Sequence, residues 1–134
     1  MIRVLENLVP ADGNIDVEVV SDGQYTYAYF ITGDVSNLEV DKTYTYSITF
    51  RGKEGGYGSI RIDGALGVDG INQKRVDHTG DVQTVHFPVV RTNTRHKGIY
   101  LVARGVNGYE AGESIRLISV SVHEGEHTSD IYVP

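Results

Sequence analysis

Residues 43–50 read Thr-Tyr-Thr-Tyr-Ser-Ile-Thr-Phe, an unbroken period of two. A β-strand sends successive side chains to opposite faces. Tyr44, Tyr46, Ile48 and Phe50 therefore fall on one side, and Thr43, Thr45, Ser47 and Thr49 on the other. The first side is expected to be core and the second to be water-facing. Related alternation recurs in residues 15–20, 24–32, 57–62, 82–90, 99–104 and 114–123. No stretch sustains an apolar period of 3.6, so no long helix is expected. Gly, Asp and Asn punctuate the chain every 8–12 residues or so, the spacing of a sandwich or barrel. About eight strands in so short a chain must pack as two layers. The expectation is an all-β, two-layer antiparallel β-sandwich, jelly-roll-like, in a single domain spanning residues 1–134.

Several local features refine that outline. Pro88 lacks a ladder donor, so the strand of residues 82–90 is expected at a sheet edge or bulged there. Ile118, Val120 and Val122 are expected to share one face of the last long strand. Residues 64–80 carry Gly64, Gly67, Gly70 and Gly80 and read as loop with at most one short strand. In the loop of residues 33–41, Leu38 and Val40 are expected to dip inward.

Composition excludes whole classes of chemistry. The chain has no Cys, which removes disulfides, Cys-ligated zinc, iron–sulfur clusters and thiol nucleophiles. Its formal net charge is −6, against nucleic acid and anionic membranes as partners. Nine of its 12 Lys and Arg lie between Arg51 and Arg104, so a local basic patch remains compatible with that balance. No apolar run approaches the roughly 20 residues of a membrane-spanning helix, and the N-terminal residues are too charged for a signal peptide.

The candidate sites are few. His123-Glu124-Gly125-Glu126-His127 has the spacing of the zinc-peptidase H-E-x-x-H pattern. That chemistry needs both His on one helix face. Here the motif follows strand alternation, and Gly125 interrupts it. Asp12, Asn14 and Asp16 place oxygen donors at alternate positions, as at the start of a calcium loop, but Val17 stands where an EF-hand needs Gly. No Gly-x-Ser-x-Gly elbow and no phosphate-cradling Gly loop is found, and no enzyme activity and no cofactor are expected. Tyr25, Tyr27 and Tyr29 share a strand face, read chiefly as packing, while Tyr44 and Tyr46 read as core. Tyr57 and Tyr109 lie beside glycines in or near loops and are expected to be exposed, where a flat ring with a polar tip suits a pyranose. Arg61, His86 and Arg104 are polar members of apolar strands. A solvated outer sheet face accounts for them; if they share that face, they suit sugar hydroxyls or acidic groups.

The order of motifs adds a resemblance. Asn7-Leu8-Val9-Pro10 opens the chain, followed by Tyr44-Thr45-Tyr46-Ser47-Ile48-Thr49-Phe50-Arg51-Gly52 and Gly58-Ser59-Ile60-Arg61-Ile62. Then come Gln83-Thr84-Val85-His86-Phe87, Gly98-Ile99-Tyr100-Leu101, Ile118-Ser119-Val120-Ser121-Val122-His123-Glu124-Gly125, Thr128 and Tyr132-Val133-Pro134. This order resembles the carbohydrate-binding-module-like sandwiches of phage tail and minor structural proteins. The resemblance implies a non-catalytic virion module that binds host-surface carbohydrate during attachment. The alternative it allows is a structural or decoration domain contacting other virion proteins or copies of itself, as in a homotrimer, with no sugar ligand. Tyr132 stands where that family usually has Trp.

Overall fold

The computed structural model describes residues 3–4, 14–21, 25–31, 38–68, 70–93, 98–104, 108–126 and 131–132. Ten strands run through them, against about eight expected. They are β1 (Arg3–Val4), β2 (Asn14–Val20), β3 (Tyr25–Ile31), β4 (Thr43–Arg51), β5 (Tyr57–Val68), β6 (Ile71–Asp77), β7 (Val82–Val90), β8 (Gly98–Arg104), β9 (Ser114–Glu124) and β10 (Ile131–Tyr132). No helix occurs among the described residues.

The eight longer strands form two antiparallel four-stranded sheets, ordered β2-β9-β4-β7 and β3-β8-β5-β6. β1 and β10 form a separate, parallel two-residue pair. Between the sheets lies one apolar core. It takes Tyr44, Tyr46, Ile48 and Phe50 from β4, Phe87 and Val89 from β7, and Ile115, Leu117, Val120 and Val122 from β9. Facing them are Ile60 and Ile62 of β5 and Val76 of β6. The tyrosine and isoleucine alternation of β4 is thus what puts that strand's apolar side inward. The opposite side of β4 is not simply wet: Thr45 and Ser47 are buried, as are Ser121 and His123, which lie opposite them on β9.

Three expectations need correction. Residues 64–80 are largely a hairpin: β5 continues to Val68 and β6 follows after a turn at Gly70. β6 escaped notice because it is an edge strand with Gln73, Lys74 and Arg75 all exposed, so its apolar period is weak. In β9 the register against β4 shifts between Thr49 and Phe50, which pair with Ser119 and Leu117 and leave Ile118 as the extra residue. That bulge switches the buried phase from Val122 and Val120 to Leu117 and Ile115, so Ile118 is only half-buried. Leu38 is buried as expected, but Val40 is exposed. Pro88 does lie on an edge strand, β7.

Candidate functional site

β5 and β6 build a polar surface on the outside of the second sheet. Burial of Ile60 and Ile62 turns Tyr57, Ser59, Arg61 and Asp63 outward, and burial of Val76 does the same for Arg75 and Asp77. Cross-strand register sets Tyr57 opposite Asp77, Ser59 opposite Arg75 and Arg61 opposite Gln73. The Arg75 guanidinium carbon lies 4.2 Å from the centre of the Tyr57 ring, a cation–π contact. Arg61 Nε donates to Asp63 Oδ1 at 2.9 Å, and Arg75 Nε to Asp77 Oδ1 at 3.3 Å. The register continues into the neighbouring strands. Arg61 pairs with Tyr100 and Tyr100 with Tyr29; Ser59 pairs with Val102 and Val102 with Tyr27; Arg104 pairs with Tyr25.

The surface is held from beneath by a residue that sequence reasoning passed over. Arg91, just beyond β7, is fully buried. One terminal nitrogen donates to Asp63 O at 2.9 Å and Tyr46 Oη at 3.1 Å, while its Nε and other terminal nitrogen donate to Asn93 O. The backbone of Asp63 is thereby tied to the core. Burial raises the Tyr46 phenol above its usual range, and the adjacent Arg91 charge opposes that rise. A buried arginine leaves no periodic sequence signal, because it breaks the apolar pattern that marks a core.

The five residues singled out from sequence do not converge. Tyr57 and Arg61 share the outer face of β5, and Arg104 lies in the same sheet, at the end of β8. His86 belongs to the other sheet, where its Nδ1 lies 2.8 Å from Ser47 Oγ. Tyr109 is not exposed; only 4% of it is accessible. Its ring rests against Gly56, and Gly52 and Gly56 both leave room that a Cβ would fill. Its hydroxyl accepts from Lys53 N–H at 2.8 Å and lies 2.6 Å from His78 Nδ1. His78 is buried too and stacks edge-on against Phe50. Glycines beside Tyr109 suggested an open loop; they serve instead to admit its ring. Nearby, Lys53 and Glu113 pair at 2.6 Å, and the bond from Lys53 and then the Glu110 N–H hold the Glu113 carboxyl below its usual range.

The metal-like motifs meet the same test. His123 and Glu124 end β9, and Gly125 turns the chain with φ 92°. His123 is buried while Glu124 is exposed, as alternation requires, so the helical zinc-peptidase arrangement is not formed; His127 lies outside the described residues. Asp12 also lies outside them, and Asn14 and Asp16 fall on β2. Among the described residues no three His, Asp or Glu side chains gather where they would hold a metal ion. An open depression of about 230 Å³ lies between Thr43, Leu66, Asn72, Pro88 and Glu126, with no aromatic ring among the described residues that line it.

No protein-family model and no curated protein matches the chain. Solved structures do. The apo form of BiXyn10A CBM1 superposes with a TM-score of 0.50 at 12% identity, covering 89% of this chain and 95% of that one. A CBM4 structure covers 83% of this chain and 80% of its own at 21% identity, with a TM-score of 0.43. At such identity the first likeness is one of fold: the chain has the all-β sandwich architecture of a carbohydrate-binding module.

Proposed function

We propose that the chain is a non-catalytic carbohydrate-binding module and that the outer face of the β3-β8-β5-β6 sheet receives the ligand. One observation carries this reading: Tyr57, Ser59, Arg61, Asp63, Gln73, Arg75 and Asp77 lie together on one outer sheet face, set side by side by the β5–β6 register. Such a face sets charged donors and acceptors around one aromatic ring, groups that suit sugar hydroxyls. The fold likeness supports it. So does the strand order, whose eight longer strands wind between the sheets as a jelly roll. The place of action we propose is a phage particle contacting host-surface glycan. That part rests on the motif order alone, from Asn7-Leu8-Val9-Pro10 to Tyr132-Val133-Pro134.

The test is binding of a fluorescently tagged chain to intact bacterial cells and purified wall polysaccharides. Saturable binding that free saccharide competes away is expected. Arg61→Ala and Tyr57→Ala should each weaken it by about tenfold or more. Thr84→Ala, on the other sheet, should leave it unchanged. Binding to cells that no saccharide displaces would replace this reading with a protein-contacting role.

A further inference from the structure

Two residues break the apolar period of strands that end their sheets, β6 in one and β7 in the other. Lys74 pairs with Ile60, which is buried, so it takes an inward position on β6, yet it is exposed. Gln83 pairs with Phe50, also buried, and takes an inward position on β7, in phase with Phe87 and Val89. Both stand where alternation calls for an apolar side chain.

The direction of the β6 backbone shows what they do. His78 N–H donates to Gly56 O at 2.8 Å, and Gly55 N–H donates to His78 O at 3.3 Å, so both His78 groups point toward the turn that leads into β5. An antiparallel ladder alternates this direction from residue to residue. The N–H and C=O groups of Gln73, Arg75, Asp77 and Thr79 therefore point away from β5. Gln83 takes the far end of that row. Its Nε2 donates to Asp77 O at 3.0 Å, and its Oε1 accepts from Thr79 N–H at 3.0 Å. A side-chain amide thus makes the two bonds that a peptide group of an added strand would make. Ahead of Asp77 the row stays open, since among the described residues no strand pairs with that side of β6.

The simplest complement to such a row is the same row of a second copy, antiparallel about a two-fold axis. The register that overlaps all seven residues of β6 is centred on Lys74. It sets Gln73 opposite Arg75, Ile71 opposite Asp77, and Lys74 opposite its own counterpart. The Lys74 backbone faces β5, so that central pair is the close, non-hydrogen-bonded kind, with Cα atoms about 4.5 Å apart. Two ammonium groups directly opposite disfavour this register, and Gln83 already occupies Asp77 O. A register centred on Arg75 sets guanidinium against guanidinium and still needs Asp77 O. One centred on Gln73 avoids both obstacles but overlaps only residues 71–75. We propose that Lys74 and Gln83 keep the β6 edge from pairing with a second copy of this chain, and that β6 is its latent self-association surface. None of this depends on what the outer face binds.

The experiment is sedimentation equilibrium of the parent chain, Lys74→Thr, Gln83→Ala and the double variant over a range of concentrations. Hydrogen exchange is read at the Gln73 and Arg75 amides, and melting temperatures show that each variant folds. Threonine suits a strand without adding an apolar surface. The double variant should reach about twice the parent's mass, with both amides exchanging about tenfold more slowly. Lys74→Arg, which keeps the charge, should sediment with the parent. A double variant that keeps the parent's mass, or one that doubles it while both amides exchange as before, overturns the inference. So does a parent chain in which rising concentration already protects those amides.

Discussion

His78 and Tyr109 meet across two turns, and their protons have one economical arrangement. Tyr109 Oη accepts from Lys53 N–H, so its own proton is free to go to His78 Nδ1. The imidazole is then neutral, with its remaining proton on a buried Nε2 that has no partner among the described residues. Protonation would turn Nδ1 into a second donor aimed at the same oxygen. Burial accordingly holds the His78 pKa below its ordinary 6.5, with Asp77 opposing. The folded chain therefore binds fewer protons than the unfolded chain between the two values. Stability is fully present above about 6.5 and falls as pH drops through the folded value. Melting temperatures between pH 7.5 and 5.5 should show this fall, and His78→Gln should flatten it; equal slopes for both proteins would refute the assignment. The same pair predicts a steric effect. A methyl group at Gly52 would sit 2.6 Å from both His78 Nδ1 and Tyr109 Oη. Gly52→Ala should lower the melting temperature by several degrees, whereas Tyr109→Phe should cost less, losing only hydrogen bonds. None of this was legible beforehand, because loop residues carry no period and the contact joins positions 31 apart in sequence.

Strands were legible in proportion to the contrast between their two faces. β4 was plain because tyrosines and isoleucine alternate with hydroxyls without a break. Pro88 narrowed β7 to an edge or a bulge, since a missing N–H is a topological statement, and β7 lies at an edge. β6 was missed because an exposed edge strand has little to alternate with, and that strand supplies half of the candidate site. β9 was recognised as a strand, yet its inward set was misread at Ile118, since one extra residue reverses the phase and both phases there are apolar. The bulge makes a prediction that unbroken alternation contradicts. Leu117→Ala should cost about 2–5 kcal/mol, as a large-to-small change in a packed core. Ile118→Ala should cost well under half of that. Urea denaturation decides between them, and the reverse order would restore the unbroken register. Backbone pairing gives a second check. β4 is hydrogen-bonded on both sides, to β9 and β7, so its amides should exchange with solvent more slowly than those of the edge strand β6.

For the molecule as a whole, the sandwich was readable and its two outer faces were not distinguishable. Alternation says that Arg61 and His86 point away from a core. It cannot say that they do so on opposite sides of it, since sheet membership is set by pairings between distant segments. The separation is testable with ligand present. Amide shift changes, or slowed hydrogen exchange, should concentrate in β5, β6 and β8 and leave β4 and β7 unaltered. A footprint on β7 around His86 would move the site to the other sheet.

The parallel pairing of β1 with β10 has a mechanical meaning. Arg3 lies beside Ile131 and Val4 beside Tyr132, with both strands running the same way. Tension drawn through the two ends of the chain pulls such strands past each other lengthwise. Their hydrogen bonds are then loaded in shear and share the force, where an antiparallel pair pulled from one end would unzip bond by bond. A two-residue pair of this kind would therefore meet lengthwise tension with its hydrogen bonds acting together.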